Sequence, residues 1–157
     1  MPDDLEIAIG LSSDDVDTDD DGLSDFDEFV LQATSPLLID SDGDSLQDGT
    51  EFGVSAGLLG DPQNGIFGTD SGVFQPDMDV QSTTDPMDVD SDDDGISDGG
   101  EDSNFDGMQN GAETAPEQFD SDQDGMRRFG PRHWHRRSRL LCTGRCPSRK
   151  EYLLASC

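Results

Sequence analysis

Asp17-Thr18-Asp19-Asp20-Asp21-Gly22-Leu23-Ser24-Asp25-Phe26-Asp27-Glu28 is the stretch from which this chain can be read. With Asp17 as position 1, acids stand at positions 1, 3, 5, 9 and 12, and Gly stands at 6. Alternate residues of a tightly curled chain turn their side chains inward, so Asp17, Asp19 and Asp21 converge. Gly22 suits the sharp turn because it has no Cβ to clash. The carbonyl of Leu23 adds an oxygen, and Glu28 can close the shell with two more. A shell of six to eight oxygens at about 2.3–2.6 Å is what a calcium ion requires. The spacing satisfies the calcium-loop pattern D-x-[DN]-x-[DN]-G-x5-E.

The pattern recurs along the chain. A second loop runs from Asp40 through Asp42, Asp44, Leu46 and Asp48 to Glu51, with Ser45 where Gly belongs. A third has Asp90, Asp92, Asp94, Gly95, Ile96, Asp98 and Glu101, without departures. A fourth has Asp102, Asn104, Asp106, Gly107, Met108, Asn110 and Glu113. A fifth starts with Asp120, Asp122, Asp124 and Gly125, then meets Arg128 and Pro131 where acids should follow. Any acidic chain can match such a pattern once. A disordered acidic tract does not explain four loops with phased Gly, Glu and an apolar residue at position 7. The expected metal ligands are therefore Asp17, Asp19, Asp21, Leu23, Asp25 and Glu28, with their counterparts in the later loops.

Composition agrees with a fold built around ions. Hydrophobic residues make up 31% and aromatic residues 6%, against 37 acidic and 9 basic side chains and a net charge of −28. So little apolar surface cannot offset chain entropy. Either the chain is unfolded or cations organise it. Residues 1–126 hold 36 of the acids and no Lys or Arg, and all nine basic residues lie between Arg127 and Lys150. Two regions follow: an Asp-rich repeat region at 1–126, with an irregular insert at 53–81, and a basic tail at 127–157.

Three known loop architectures fit poorly. Paired EF-hands need flanking helices and an apolar position 8, yet position 8 is Ser24, Gln47, Ser97 and Gln109, and Glu101 runs directly into Asp102. Dockerin modules have two loops, each leading into a helix, whereas this chain has more loops at uneven spacing. The glycine-rich nonapeptide repeat of secreted toxins is absent. The loops, with the links Ala33-Thr34-Ser35-Pro36 and Thr83-Thr84-Asp85-Pro86, resemble the thrombospondin type 3 repeat in its cysteine-free bacterial form. The resemblance spans about residues 1–126, and Ser45, Asn104, Asn110 and the broken fifth loop depart from it. It implies an irregular, calcium-cored repeat array with short helical turns, little regular secondary structure and disorder without metal. It also implies a spacer or adhesive segment of a secreted or cell-surface protein, with a cell-surface protein or glycan as partner in the adhesive case.

Between loops, Phe26, Phe29, Val30 and Leu31 are expected to form the apolar face of a short helical turn. Phe52, Leu58, Leu59, Phe67 and Phe74 are expected in small satellite clusters. Setting Met1 at position 7 puts Asp3 at 9 and Glu6 at 12, so the chain reads as a fragment that begins within a repeat. A missing signal peptide then carries little weight. No apolar run is long enough to span a membrane. In the tail, His133, His135, Cys142 and Cys146 match no zinc module. Arg136, Arg137 and Arg139 as a nucleic-acid arm would face competition from the acids, so no nucleic acid is expected. A GC-rich Asp/Gly coding repeat read out of frame yields Arg codons, and the tail is read as such a product. Both His lie there and the carboxylates are accounted for as ligands, so no enzyme is expected within this chain, and a non-catalytic repeat segment of a larger secreted enzyme is the remaining alternative.

Overall fold

The computed structural model describes residues 1–121. Asp122, Asp124 and the whole basic tail, with the zinc, nucleic-acid and out-of-frame readings attached to it, lie outside the described residues. Regular structure is sparse. Helix α1 spans Asp3–Ile9, α2 spans Asp25–Asp27 and runs into a π-helical turn at Glu28–Gln32, α3 spans Asp48–Glu51 and α4 spans Asp98–Glu101. There is no strand among the described residues, only isolated bridges between Asp15 and Phe67 and between Asp61 and Ile66.

The short helices share one cause. Helices α2, α3 and α4 all start at position 9 of a loop, and α1 starts at Asp3, position 9 in the same frame. Position 8 is extended and caps the turn that follows. The Ser24 hydroxyl accepts from the Asp27 N–H at 3.1 Å, and the Ser97 hydroxyl accepts from the Gly100 N–H at 3.1 Å. Such a bond satisfies one of the donors that a helix start leaves free. Gln47 has the same extended backbone and makes no side-chain cap.

Each loop curls through two left-handed residues. Position 6 has φ of +94° at Gly22, +93° at Ser45, +95° at Gly95 and +70° at Gly107. Position 4 is left-handed too, at Asp20, Gly43, Asp93 and Phe105, which no shared residue type announces. The curl is held by side-chain bonds. Position 1 accepts from the position 6 N–H in loops one to four, at 3.0 Å for Asp17, 2.9 Å for Asp40, 2.8 Å for Asp90 and 2.7 Å for Asp102. Position 5 accepts from the position 7 N–H, as Asp21 does from Leu23 at 2.7 Å. In loops one to three, the position 9 carboxylate accepts from the position 2 N–H: Asp25 from Thr18, Asp48 from Ser41 and Asp98 from Ser91.

The interior is polar. Leu11, Leu23, Leu46 and Ala115 are the buried hydrophobic residues among those described, against a larger set of buried acids and amides. The expected apolar face after loop one does form a helical turn, but it is not covered: Phe26, Phe29, Val30 and Leu31 remain between 47% and 70% exposed. The carboxylates behind them fill the space that a hydrocarbon core would take. The expected satellite clusters also change. Leu59 stands in solvent, and Phe67 engages the segment just before loop one through its backbone, donating to the Asp14 carbonyl at 2.7 Å.

Connectors close the repeats in one way. The Ser35 N–H donates to Ser41 Oγ at 3.0 Å, the Asp85 N–H to Ser91 Oγ at 2.9 Å and the Ala115 N–H to Ser121 Oγ at 3.0 Å. Pro36, Pro86 and Pro116 are buried. Thr114-Ala115-Pro116 is thus a third connector, equivalent to Thr34-Ser35-Pro36 and Thr84-Asp85-Pro86. Loop four lies between Glu101 and this connector, just as the insert lies between Glu51 and Thr84. The principal array is therefore loops one, two and three and the start of loop five, with loop four and the insert as excursions from it.

Candidate metal centre

The curl brings carboxylates together. Oxygens of Asp17, Asp19 and Asp21 lie within 4.8 Å of one another, and so do those of Asp40, Asp42 and Asp44 and those of Asp90, Asp92 and Asp94. A fourth group crosses between loops: Asp21 and Glu28 of loop one with Asp48, position 9 of loop two. Position 9 thus does more than close its own loop. Asp48 fastens Ser41 and also faces the acids of loop one. Asp25, the corresponding residue of loop one, turns both oxygens to the Thr18 N–H and hydroxyl, each at 2.8 Å.

Stacking of loop on loop depends on position 10. The Gly49 N–H donates to Asp21 Oδ2 at 3.1 Å, and a Cβ on Gly49 would run into the Asp21 carbonyl oxygen. The Gly99 N–H pairs with Asp44 Oδ2 in the same way, and a Cβ there would lie 2.5 Å from the Asp44 carbonyl oxygen. Position 5 of one loop therefore receives positions 9 and 10 of the next principal loop. Only glycine allows that approach.

The position 12 glutamates sit beneath these groups, with Glu28 at 0%, Glu51 at 1% and Glu101 at 2% exposure. Connector threonines orient them. The Thr34 hydroxyl donates to Glu28 Oε1 at 3.3 Å and the Thr84 hydroxyl to Glu51 Oε1 at 2.9 Å. Thr114 faces Glu101 and favours its charged form, although both Glu101 oxygens stay outside ordinary hydrogen-bond geometry. Thr34 and Thr84 fall in the links that the sequence marks, whereas Thr114 does not. Their bond partners lie 6 residues away in one case and 33 in another.

Burial with like charges raises the acids. Burial, then repulsion from Asp19, Asp21 and Asp48, pushes Glu28 up to about 9. Burial takes Glu51 to about 9, against the Thr84 bond that lowers it. Asp21 rises to about 8 and Asp19 to about 7, in both cases chiefly through burial. Several carboxylate oxygens in these groups are buried without a hydrogen-bond partner, among them Asp17 Oδ1, Glu28 Oε2, Asp42 Oδ2 and Glu51 Oε2. Residues 1–126 contain no Lys or Arg to neutralise them. Along the described residues, the α-amino group of Met1 meets Glu6 at 3.6 Å. Orphaned, buried, all-oxygen donor sets fit a hard divalent cation, since buried charge needs compensation and carboxylate oxygen suits such ions.

Loop four differs. Asp106 Oδ2 accepts from Asn104 Nδ2 at 2.9 Å and from Asn110 Nδ2 at 3.2 Å. Glu113 is engaged by Ser103 Oγ at 2.9 Å and by the Asn110 N–H at 3.0 Å. The two amides and Glu113 thus bond within the loop. A Cβ on Gly111, its position 10, would meet nothing within 4 Å, so among the described residues this loop shows no close approach of the kind seen at Gly49 and Gly99.

No family model, curated protein or solved structure matches the chain. Among the described residues no helix is long and apolar enough to cross a membrane.

Proposed function

We propose that residues 1–126 are a calcium-binding repeat array of the thrombospondin type 3 kind, acting as a spacer or stalk segment in a secreted or cell-surface protein. The observation that carries this reading is the group formed by Asp21, Glu28 and Asp48, in which the orphaned Glu28 Oε2 is buried and no basic side chain stands by among the described residues. Calcium is the ion favoured. It accepts many oxygens at flexible angles, whereas magnesium demands a smaller, near-octahedral shell and gives up water reluctantly. The ion neutralises carboxylates, joins one loop to the next and stiffens the chain. Affinity belongs to the range of extracellular modules, about 10⁻⁵ to 10⁻³ M. No catalysis is proposed, because the acids serve as ligands. One feature favours an adhesive role as a second reading: Phe29, Val30, Leu31, Leu37 and Leu38 are exposed around the first connector.

The test is hydrodynamic radius and circular dichroism of the full chain, stripped of calcium and then titrated to millimolar calcium or magnesium. Contraction with calcium and little with magnesium is expected. An unchanged radius and spectrum on adding calcium would refute the reading.

A further inference from the structure

Asp77 belongs to none of the loops, yet it is among the most deeply buried residues, at 2% exposure. It lies in the insert, where a carboxylate would ordinarily face water. Its Oδ1 accepts from the Asp79 N–H at 2.7 Å, which shapes a local turn. Its Oδ2 is buried and has no partner. The carboxylate is aimed at loop four. A Cβ on Gly107 would collide with it, and the charges that face it are Asp79, Asp102 and Asp106. The Met78 N–H donates to the Asp106 carbonyl at 2.8 Å, fixing the insert against position 5 of that loop.

The same relation holds twice elsewhere. Asp48 and Gly49 meet position 5 of loop one at Asp21, and Asp98 and Gly99 meet position 5 of loop two at Asp44. Each is an Asp followed by a residue whose N–H reaches position 5. Asp77-Met78 approaches Asp106 in a related way, with the Met78 N–H on the Asp106 backbone carbonyl rather than on its carboxylate, although it comes from the insert and precedes the loop it meets. Loop four has only two aspartates of its own, Asp102 and Asp106, at positions 1 and 5.

We propose that Asp77 is a ligand, through Oδ2, of a divalent cation of the calcium class held between the insert and Asp102 and Asp106 of loop four. The cation clamps the two excursions of the array to each other. The proposal rests on the array binding calcium, and the experiment separates the two.

Calcium stoichiometry and affinity of the full chain are measured by equilibrium dialysis and titration calorimetry for the native protein, Asp77→Asn and Asp77→Ser. Both replacements keep an oxygen that can accept from the Asp79 N–H but lose the charge, so a role confined to the turn would leave binding unchanged. The expected result is loss of one bound calcium per chain, or at least a tenfold weakening of one site, in both variants, with the remaining sites as in the native protein. If the native chain binds calcium and both variants bind it identically, Asp77 is not a ligand. If the native chain binds none, the proposed function itself fails. Should Asp77→Asn not contract with calcium, Asp77→Ser decides: native stoichiometry there overturns the proposal, and loss of one ion upholds it.

Discussion

Acidifying the metal-free chain should make it contract, and the midpoint should lie well above the ordinary carboxylate range. Glu28, Glu51 and Asp21 are at most 1% exposed, and burial holds them near 9, 9 and 8 respectively. In an expanded chain the same groups titrate near their ordinary values, about 4. At pH 7 the expanded chain is ionised, whereas the folded chain must take up a proton at each site. That costs about 1.4 kcal/mol per pH unit above the ordinary value, so about 3 kcal/mol for each Glu and about 4 for the Asp. Even two such sites cost a large part of the whole stability of a typical domain, about 5–15 kcal/mol. The metal-free fold should therefore not stand at neutral pH. The sign follows from the raised values: protons stabilise the fold fully below the ordinary values, about 4, and that stability is lost progressively as pH rises from there to the folded values of about 8–9. Small-angle scattering of the calcium-stripped chain from pH 8 to pH 5 measures the change. A midpoint near pH 6 is expected, and contraction only near pH 4 would mean that repulsion between ordinary carboxylates is the cause. Glu28→Gln sharpens the test, because it removes a proton requirement and a ligand together. It should move the metal-free contraction to higher pH and weaken calcium-driven contraction; a variant that eases both, or impairs both, refutes the reasoning.

Three further outcomes concern the calcium form. Ser45→Gly should strengthen loop two by about 0.5–1 kcal/mol, roughly twofold to fivefold in affinity, because Gly accepts positive φ at lower cost; Gly95→Ser should weaken loop three, and equal affinities by calorimetry would count against the turn argument. Gly49→Ala should destabilise the calcium form by about 1–3 kcal/mol, since the added methyl meets the Asp21 carbonyl and forces the two loops apart; denaturant titration in millimolar calcium checks it, and native stability would mean that the loops do not dock there. Thr84→Val keeps the shape and removes the donor to Glu51, so loop two should lose about 0.5–1.5 kcal/mol of calcium binding, read by calorimetry, with loop three unaffected.

The curl of each loop was legible because acids and glycine recur at fixed spacing, and Asp17, Asp19 and Asp21 do converge. The sparse helices were legible too, from low hydrophobicity and from Pro and Gly between loops. The contacts between loops were not. Gly49 reaches Asp21 across 28 residues and Gly99 reaches Asp44 across 55, so no constant period marks the relation. Glu101 and Asp102 adjoin in sequence as if two loops stacked, but Thr114 beside Glu101 shows that loop four is inserted between a glutamate and its connector. Asp77 gave no signal because its partners are spatial, and an Asp in a Gly-rich insert reads as solvent-facing. Position 4 escaped for another reason: Asp20, Gly43, Asp93 and Phe105 share a backbone conformation without sharing side-chain chemistry.

An interior of carboxylates with few buried apolar side chains among the described residues has a thermal consequence. Unfolding a typical domain raises the heat capacity by about 12–15 cal/mol/K per residue, because apolar surface meets water. Here most of the newly wetted groups are charged, and hydration of polar surface lowers the heat capacity. The stability curve of the described region should therefore be shallow, with neither the strong optimum near room temperature nor the pronounced cold instability that hydrocarbon cores confer. Temperature becomes a weak lever on such a chain. Free calcium becomes a strong one: each coupled site adds about 1.4 kcal/mol per tenfold rise once saturated, so several sites together turn a modest change in the surrounding ion concentration into the difference between a stiff segment and a slack one.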